Sequence, residues 1–189
     1  MEKEVSLTLL LAENQLIETP RLLLRPVGLR DAKDMFEYAS DEETTRFIFP
    51  THQSLADTRT GIAEYFLSSP LGKYAIEERQ SGKMIGTIDL RVDKEKYCGE
   101  LGYALNKTYW GQGLAPEAAM ALLSLGFDRL GLVSIQAIHD VRNPSSGKVM
   151  EKIGMKKIGQ VPCAQKMKGQ VVDTCLYSIS MKEWQRHIL

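Results

Sequence analysis

The residues best able to do chemistry fall in two stretches, Tyr97–Ala119 and Asn143–Met155. The first places a carboxylate, Glu100, on a run of strand character. The glycine-rich segment Trp110-Gly111-Gln112-Gly113 follows, and then Leu114-Ala115-Pro116-Glu117. The order reads as strand, tight loop, helix. Pro116 sits where a first helical turn begins, a position that loses nothing by lacking an N–H. Backbone amides converging there have no internal partners and meet the positive end of the helix dipole, so such a loop is suited to an anion. A dinucleotide loop would need a third glycine at position 116, where this chain has Pro116. In the second stretch, Asn143-Pro144-Ser145-Ser146 reads as a turn and helix start, with Ser146 able to cap the helix and Gly154 able to end it.

The chain that must position these groups has 189 residues, 43% hydrophobic and 25% charged, which suits one globular domain with a sizeable core. Lysine plus arginine equals aspartate plus glutamate at 24 each, so nothing in the overall charge points to nucleic acid. Cys98, Cys163 and Cys175 form no C-x-x-C pair, which gives neither a zinc site nor a disulfide framework and fits a reducing cytoplasm. The apolar run Leu9–Leu11 is too short to span a membrane, and Glu2 and Glu4 do not suit a signal peptide. Residues 1–16 read as an extension, helix or strand, outside the common core, and 17–189 as the domain itself.

Periodicity supplies the elements. Thr19–Pro26 reads as a first strand between two prolines, and 29–40 as an amphipathic helix closed by Asp41-Glu42-Glu43. A second helix spans Ser54–Phe66, capped by Ser54, with Leu55, Ile62, Tyr65 and Phe66 inward. Lys73–Arg79 and Met84–Val92 form a hairpin about Ser81-Gly82. A long helix follows over about 116–130, then a strand containing Val133, Ile135 and Ala137, then a short helix from Lys148 to Ile153. The last strands, Met155–Val161 and Val171–Met181, are joined by a loop around Pro162 and Gly169. The order is α+β: a mostly antiparallel twisted sheet with helices on both faces.

Both chemical stretches resemble one family. Gly113 and Ala115 fill the last places of the pyrophosphate loop of GNAT-family acyl-CoA N-acetyltransferases, with Trp110 where the general pattern has Arg or Gln. The string Trp-Gly-x-Gly-x-Ala-x-Glu-Ala is similar to the RimJ/RimL type, which acetylates ribosomal-protein N-termini. Asn143, Ser146, Glu151, Lys152 and Gly154 match the second family signature in register, with Met155 in place of its usual aromatic. The element order resembles the GNAT fold from about residue 17 onward.

The resemblance implies direct transfer of an acetyl group from acetyl-CoA to a primary amine, with no protein nucleophile and no metal. It implies that Gly111, Gln112, Gly113, Leu114 and Ala115, with Trp110, hold the pyrophosphate. The strand end Tyr103-Ala104-Leu105 would splay from the strand beginning near Val133, the family's fourth and fifth strands, and pair with the pantetheine arm. Asn143 would hydrogen-bond that arm, and Lys148 could reach a cofactor phosphate. Glu100 stands where many relatives have a base, often acting through water. Met150 replaces the usual acid tyrosine, which leaves Ser146 as the nearest donor to the departing sulfur.

The partner is then an amine, on a protein N-terminus or a small molecule, with no membrane or direct nucleic acid, and the protein a monomer or homodimer; the missing tyrosine at Met150 leaves a non-catalytic acyl-CoA-binding sensor as the alternative. A terminal α-amine titrates at about 7.7–8.0 and a lysine at about 10.4, so at neutral pH the lysine starts roughly 3.4 kcal/mol worse. One carboxylate without a tyrosine suits the easier amine. His52 and His187 read as surface residues, His139 as a strand end near the cleft, and Asp89 and Arg91 as facing cleft or solvent. Trp184 reads as packing the C-terminus.

Overall fold

The computed structural model describes residues 6–188. Eight strands form one sheet: β1 (Ile17–Glu18), β2 (Leu22–Pro26), β3 (Lys73–Glu78), β4 (Lys83–Asp93), β5 (Cys98–Leu105), β6 (Ser134–Asp140), β7 (Lys156–Met167) and β8 (Gln170–Ser180), in the order β1-β2-β3-β4-β5-β6-β8-β7. Neighbours are antiparallel except β5 and β6, which run parallel. The helices are α1 (Leu7–Glu13), α2 (Ala32–Ala39), α3 (Glu42–Thr45), α4 (Leu55–Gly61), α5 (Leu114–Ser124), α6 (Pro144–Lys152) and α7 (Met181–Ile188). This is the expected α+β architecture, with helices on both faces of a mixed, mostly antiparallel sheet.

Two hydrophobic clusters hold the layers together. The larger lies on the face covered by α1, α5 and α6. There α5 buries Ala118, Ala119, Leu122 and Leu123 against Ile88, Leu90, Leu101 and Ile135. Small alanines on that stripe let the helix approach the sheet closely. The smaller cluster joins Met35, Tyr38 and Ala39 of α2 to Ala75, Met84 and Ala104 on the opposite face. Between these layers β4 is buried on both sides from Met84 to Leu90. The extension expected outside the core is tied to it, because Leu7 and Leu11 of α1 join the larger cluster.

Several boundaries differ from the sequence reading, each for a local reason. The strand expected from Thr19 begins at Leu22, because Thr19 closes a turn in which its N–H donates to the Leu22 carbonyl and its Oγ1 accepts from the Leu22 N–H. Asp41 does not simply end α2: its carboxylate accepts from the Thr44 N–H and starts α3. Ser54 and Asp57 form the capping box of α4, but a π-helical turn over Ile62–Leu67 shifts the helical phase. Tyr65 is therefore exposed rather than inward, Leu55 at the first position of α4 is exposed as well, and Ile62 stays buried. The helix expected from residue 116 starts at Leu114, with Pro116 still inside its first turn. Val133 lies just before β6 and is exposed. Pro162 sits within β7 rather than in a loop, at a register shift between Val161 and Gln165. A sheet-edge strand tolerates this, since no neighbour needs the missing N–H.

A buried ion cluster fixes α2 to the sheet and so sets one wall of the site. Arg25 on β2 donates through Nη1 and Nη2 to Asp31 at 3.0 and 2.8 Å, and through Nε to Glu77 at 2.6 Å. Asp31 also accepts from the Gly28 N–H at the entry to α2. Hydrogen bonding to Asp31 outweighs the burial that opposes the Arg25 charge, and its pKa is raised. Removing one partner of a buried pair leaves an uncompensated charge. Asp31→Ala is expected to lower unfolding free energy by about 3 kcal/mol, read by chemical denaturation; an unchanged midpoint would show that Glu77 alone satisfies Arg25.

Candidate active site

The parallel pairing of β5 with β6 covers three residue pairs, Cys98 with Ser134, Gly99 with Ile135 and Glu100 with Gln136. Beyond Glu100 the two strands part, although β5 runs on to Leu105 and β6 to Asp140. Each continues on its other side, β5 with β4 as far as Leu105 and β6 with β8 as far as Asp140. The resulting wedge leaves strand-edge polar groups facing no neighbour, and buried groups of that kind demand a partner. Tyr103 spans the wedge, its hydroxyl donating to the Ser146 carbonyl at 3.2 Å. Burial, partly offset by that bond, pushes the Tyr103 phenol up to about 12.

Two cavities meet at the wedge. One, of about 440 Å³, runs past Tyr103–Leu105, Trp110, Gly111, Gly113–Ala115, Asn143, Ser146 and Lys148. The other, of about 510 Å³, opens on the α2/α4 face and contains Glu100. Phe47, Ile48, Tyr103, Ala104, Asn143 and Ser146 border both. The structure thus brings together every expected site residue except Gln112, whose side chain turns away to donate to the Thr108 carbonyl at 3.2 Å.

In the loop, Gly111 and Gly113 adopt φ of +74° and +77°, a region open to glycine at little cost. This conformation turns the chain into α5. Among the described residues, the N–H groups of Gly111, Gln112, Gly113, Leu114 and Ala115 donate to no protein acceptor. Five free amides at a helix N-terminus fit a pyrophosphate. Trp110 braces the loop by donating Nε1–H to the Leu105 carbonyl at 2.7 Å. Glu117, in the first turn of α5, would repel an anion, but Arg21 holds its carboxylate at 2.6 Å. Burial opposes the Glu117 charge, yet hydrogen bonds from Thr19 and Arg21 hold its pKa below the usual carboxylate range. Arg21 also donates to the Gln112 carbonyl at 2.9 Å, clamping the loop.

At the start of α6 the residue preceding the helix is Asn143, and Ser146 occupies its third position. Ser146 is therefore not the cap. Its Oγ accepts from Asn143 Nδ2 at 3.1 Å, which leaves the serine proton unclaimed by that bond. Lys148 is exposed at the mouth of the smaller cavity.

The larger cavity has an apolar body and one charged wall. Met35, Phe47, Phe49, Phe66 and Met167 supply the body. The wall is Asp89, Arg91 and Glu100, on neighbouring strands and one face of the sheet. Arg91 bridges the two carboxylates, reaching Glu100 Oε1 at 2.6 Å and Asp89 Oδ1. The π-turn brings the Tyr65 hydroxyl to Asp89 Oδ2 at 2.9 Å. Burial opposes the Arg91 charge, but the two carboxylates outweigh it and raise its pKa. Burial also raises the Asp89 carboxyl, against the pull of Arg91 and Tyr65.

Asp89 and Arg91 thus face the cleft, resolving the choice that the sequence left open. His52 is not a surface residue: it lines this cavity, bonds Thr58 at 2.9 Å, and has its pKa lowered by burial. The side chain of His187 lies outside the described residues. His139 lines the cavity from β6. Trp184 packs as expected, stacked on Phe127 at 5.6 Å. Among the described residues no group of three or more His, Cys, Asp or Glu side chains could hold a metal, and no helix is long and apolar enough to cross a membrane.

Comparison with known proteins agrees with this fold. Residues 21–156 match the family model described as an acetyltransferase (GNAT) domain. The "Uncharacterized N-acetyltransferase p20" of Bacillus licheniformis is 30% identical over 171 residues, covering 88% of this chain and 96% of that protein. YdaF of Bacillus subtilis carries a name that points to ribosomal N-acetylation; it is 29% identical over 105 residues, 55% of this chain and 57% of that protein. A GNAT-family acetyltransferase from Bacillus anthracis superposes with a TM-score of 0.80 at 27% identity, covering 88% of this chain and 99% of that one.

The loop conformation can be tested directly. Gly113→Val puts a branched side chain at φ +77°, beside Arg21 Nη2. Affinity for CoA is expected to fall about tenfold or more, the equivalent of at least 1.4 kcal/mol, as measured by calorimetry on a variant of unchanged fold. Wild-type affinity would place the phosphates elsewhere.

Proposed function

Because this chain belongs to the GNAT acetyltransferase family and is an acetyl-CoA-dependent N-acetyltransferase, we propose that it acetylates a primary amine borne on an apolar or aromatic group. The observation that carries this reading is the larger cavity, apolar along its body and ending at Asp89, Arg91 and Glu100 beside the wedge. Arg91 holds only Oε1 of Glu100, so the second oxygen of that carboxylate is left to meet an incoming ammonium group.

Acetyl-CoA supplies the activated acetyl thioester; this chain's residues place and deprotonate. The free amides of Gly111–Ala115 hold the pyrophosphate, with Trp110 bracing the loop and Lys148 near the phosphates. The unpaired edge Tyr103-Ala104-Leu105 receives the pantetheine arm, with Asn143 on the opposite side of the wedge. Glu100 takes a proton from the incoming ammonium, Arg91 holding one of its oxygens and thereby its orientation. Ser146 donates a hydrogen bond to the departing sulfur, its Oγ fixed by Asn143.

A second acceptor, a protein N-terminal α-amine of the RimJ/RimL kind, is favoured by the Trp110–Ala119 loop string and by the lower pKa of such amines. In that case the first side chain of the acceptor would fill the cavity. A panel of aromatic and aliphatic amines and of short peptides with varied first residues separates the two, read by CoA thiol release and product mass. Preference for apolar small amines supports the first reading; acetylation of peptides alone supports the second.

Glu100→Gln is expected to lower turnover mainly at low pH, where the amine enters charged, by about 10²–10⁴-fold if general-base catalysis is lost. At high pH the amine is already neutral and the loss should shrink. An equal loss from about pH 6 to about pH 9, a span that brackets the α-amine pKa, would assign Glu100 to positioning.

A further inference from the structure

Gly102 lies inside β5, where a glycine weakens a strand and marks a close approach by some other group. Its φ is not positive, so the backbone there is open to any residue and does not itself ask for glycine. Asp89 stands directly opposite Gly102 on β4, and Arg91 opposite Glu100. These four positions form one square on the face of the sheet that floors the larger cavity. Arg91 leans diagonally across the square. A Cβ at position 102 would lie 2.9 Å from Arg91 Nη1, 3.3 Å from Nη2 and 3.1 Å from Asp89 Oδ1. The guanidinium therefore fills the space that a side chain would take. Gly99, the other glycine of β5, has a different cause: a Cβ there would meet Leu90, Leu132 and Ile135 in the core on the opposite face.

Seated there, Arg91 reaches every polar group of the wall. Nη1 donates to Asp89 and, at 3.3 Å, to the Tyr65 hydroxyl, and Nη2 donates to Glu100 Oε1 at 2.6 Å. Tyr65 donates in turn to Asp89, so phenol and carboxylate fix the far edge of the guanidinium. Lys73, opposite Asp89 on β3, completes the charged surroundings, with its Nζ 3.8 Å from the centre of the Tyr65 ring. Among the described residues, Arg91 is the one side chain that bonds the Glu100 carboxylate. We propose that Gly102 is a positioning residue for acetyl transfer: its missing side chain seats the Arg91 guanidinium, which aims the Glu100 carboxylate at the incoming amine. A side chain at 102 pushes the guanidinium off β5, and Glu100 then loses the partner that orients it. This rests on the function proposed for the site, in which Glu100 is the base.

Gly102→Ala adds one methyl group at this spot. Its kcat is expected to fall about 10²-fold near pH 6, the cost of a small misplacement, with the loss shrinking towards about pH 9, where an α-amine is already neutral. KM for acetyl-CoA and the thermal midpoint should stay at their wild-type values. A merely structural role would instead lower the midpoint and leave the shape of the pH profile intact. Arg91→Gln removes the guanidinium without touching β5. It should cost a comparable factor, and G102A added to it should cost nothing further, because the two act through one contact. A readout without turnover comes from the Arg91 Nη–H resonances, assigned by their loss in R91Q. They should be resolved in the wild-type protein, where the guanidinium is clamped, and should merge in G102A. A G102A enzyme with wild-type kcat and pH profile overturns the role, as do additive losses in the double variant. So does a raised KM for acetyl-CoA at unchanged kcat, which would make Gly102 a clearance for the cofactor. If G102A does not fold, R91Q decides: wild-type kcat there overturns the role, and the expected loss supports it. Failure of the wild-type protein to acetylate any acceptor overturns the proposed function instead, while the Arg91 resonances still decide the seat.

Discussion

Everything in the site depends on the failure of β5 and β6 to pair beyond Glu100 and Gln136. Parallel neighbours normally share an evenly spaced ladder along their length. Here each strand is fully paired on its outer side, so the inner edges can part without unravelling either half-sheet. The break opens a passage between faces that α2 and α4 cover on one side and α5 and α6 on the other. A reaction that joins two substrates can then receive one from each face and bring them together inside the sheet.

The alternation of strand side chains sorts the polar groups between those faces. Asp89, Arg91 and Glu100 lie on the α2/α4 side, whereas Tyr103, His139 and Tyr177 lie on the α6 side. Under the proposed function, proton removal from an incoming ammonium and charge development on a departing thiolate fall in different environments. The free amides of Gly111–Ala115 are separated from the carboxylate wall by the sheet, and Arg21 neutralises Glu117 in the first turn of α5. A site that must hold a polyanion and attract a cation within a short span needs this separation.

Local features were legible in the sequence where a local rule governs them. The Gly111–Pro116 loop, the Ser54 cap and the Gly154 stop each follow from φ preference or from an orphan backbone group. The sheet class followed from the order of periodic segments. The features that stayed hidden depend on partners distant in the chain. Nothing near Arg21 announces Glu117, and nothing near Tyr65 announces Asp89. The burial of His52 against Thr58 depends on how the 46–53 segment folds back over α4. Pro162 misled for a different reason: a proline breaks an interior strand, but β7 is at the sheet edge, and its position there is a property of topology.

The π-turn at Ile62–Leu67 is one residue out of step with an α-helix. Deleting a residue from it would rotate the rest of the helix by about 100°, one α-helical residue's turn, and swing Tyr65 away from Asp89 while the sheet stays in place. The acceptor wall is thus adjustable by insertion and deletion in a segment that no strand depends on. Related chains can diverge in the amines they acetylate through changes in length that a position-by-position identity score hardly registers.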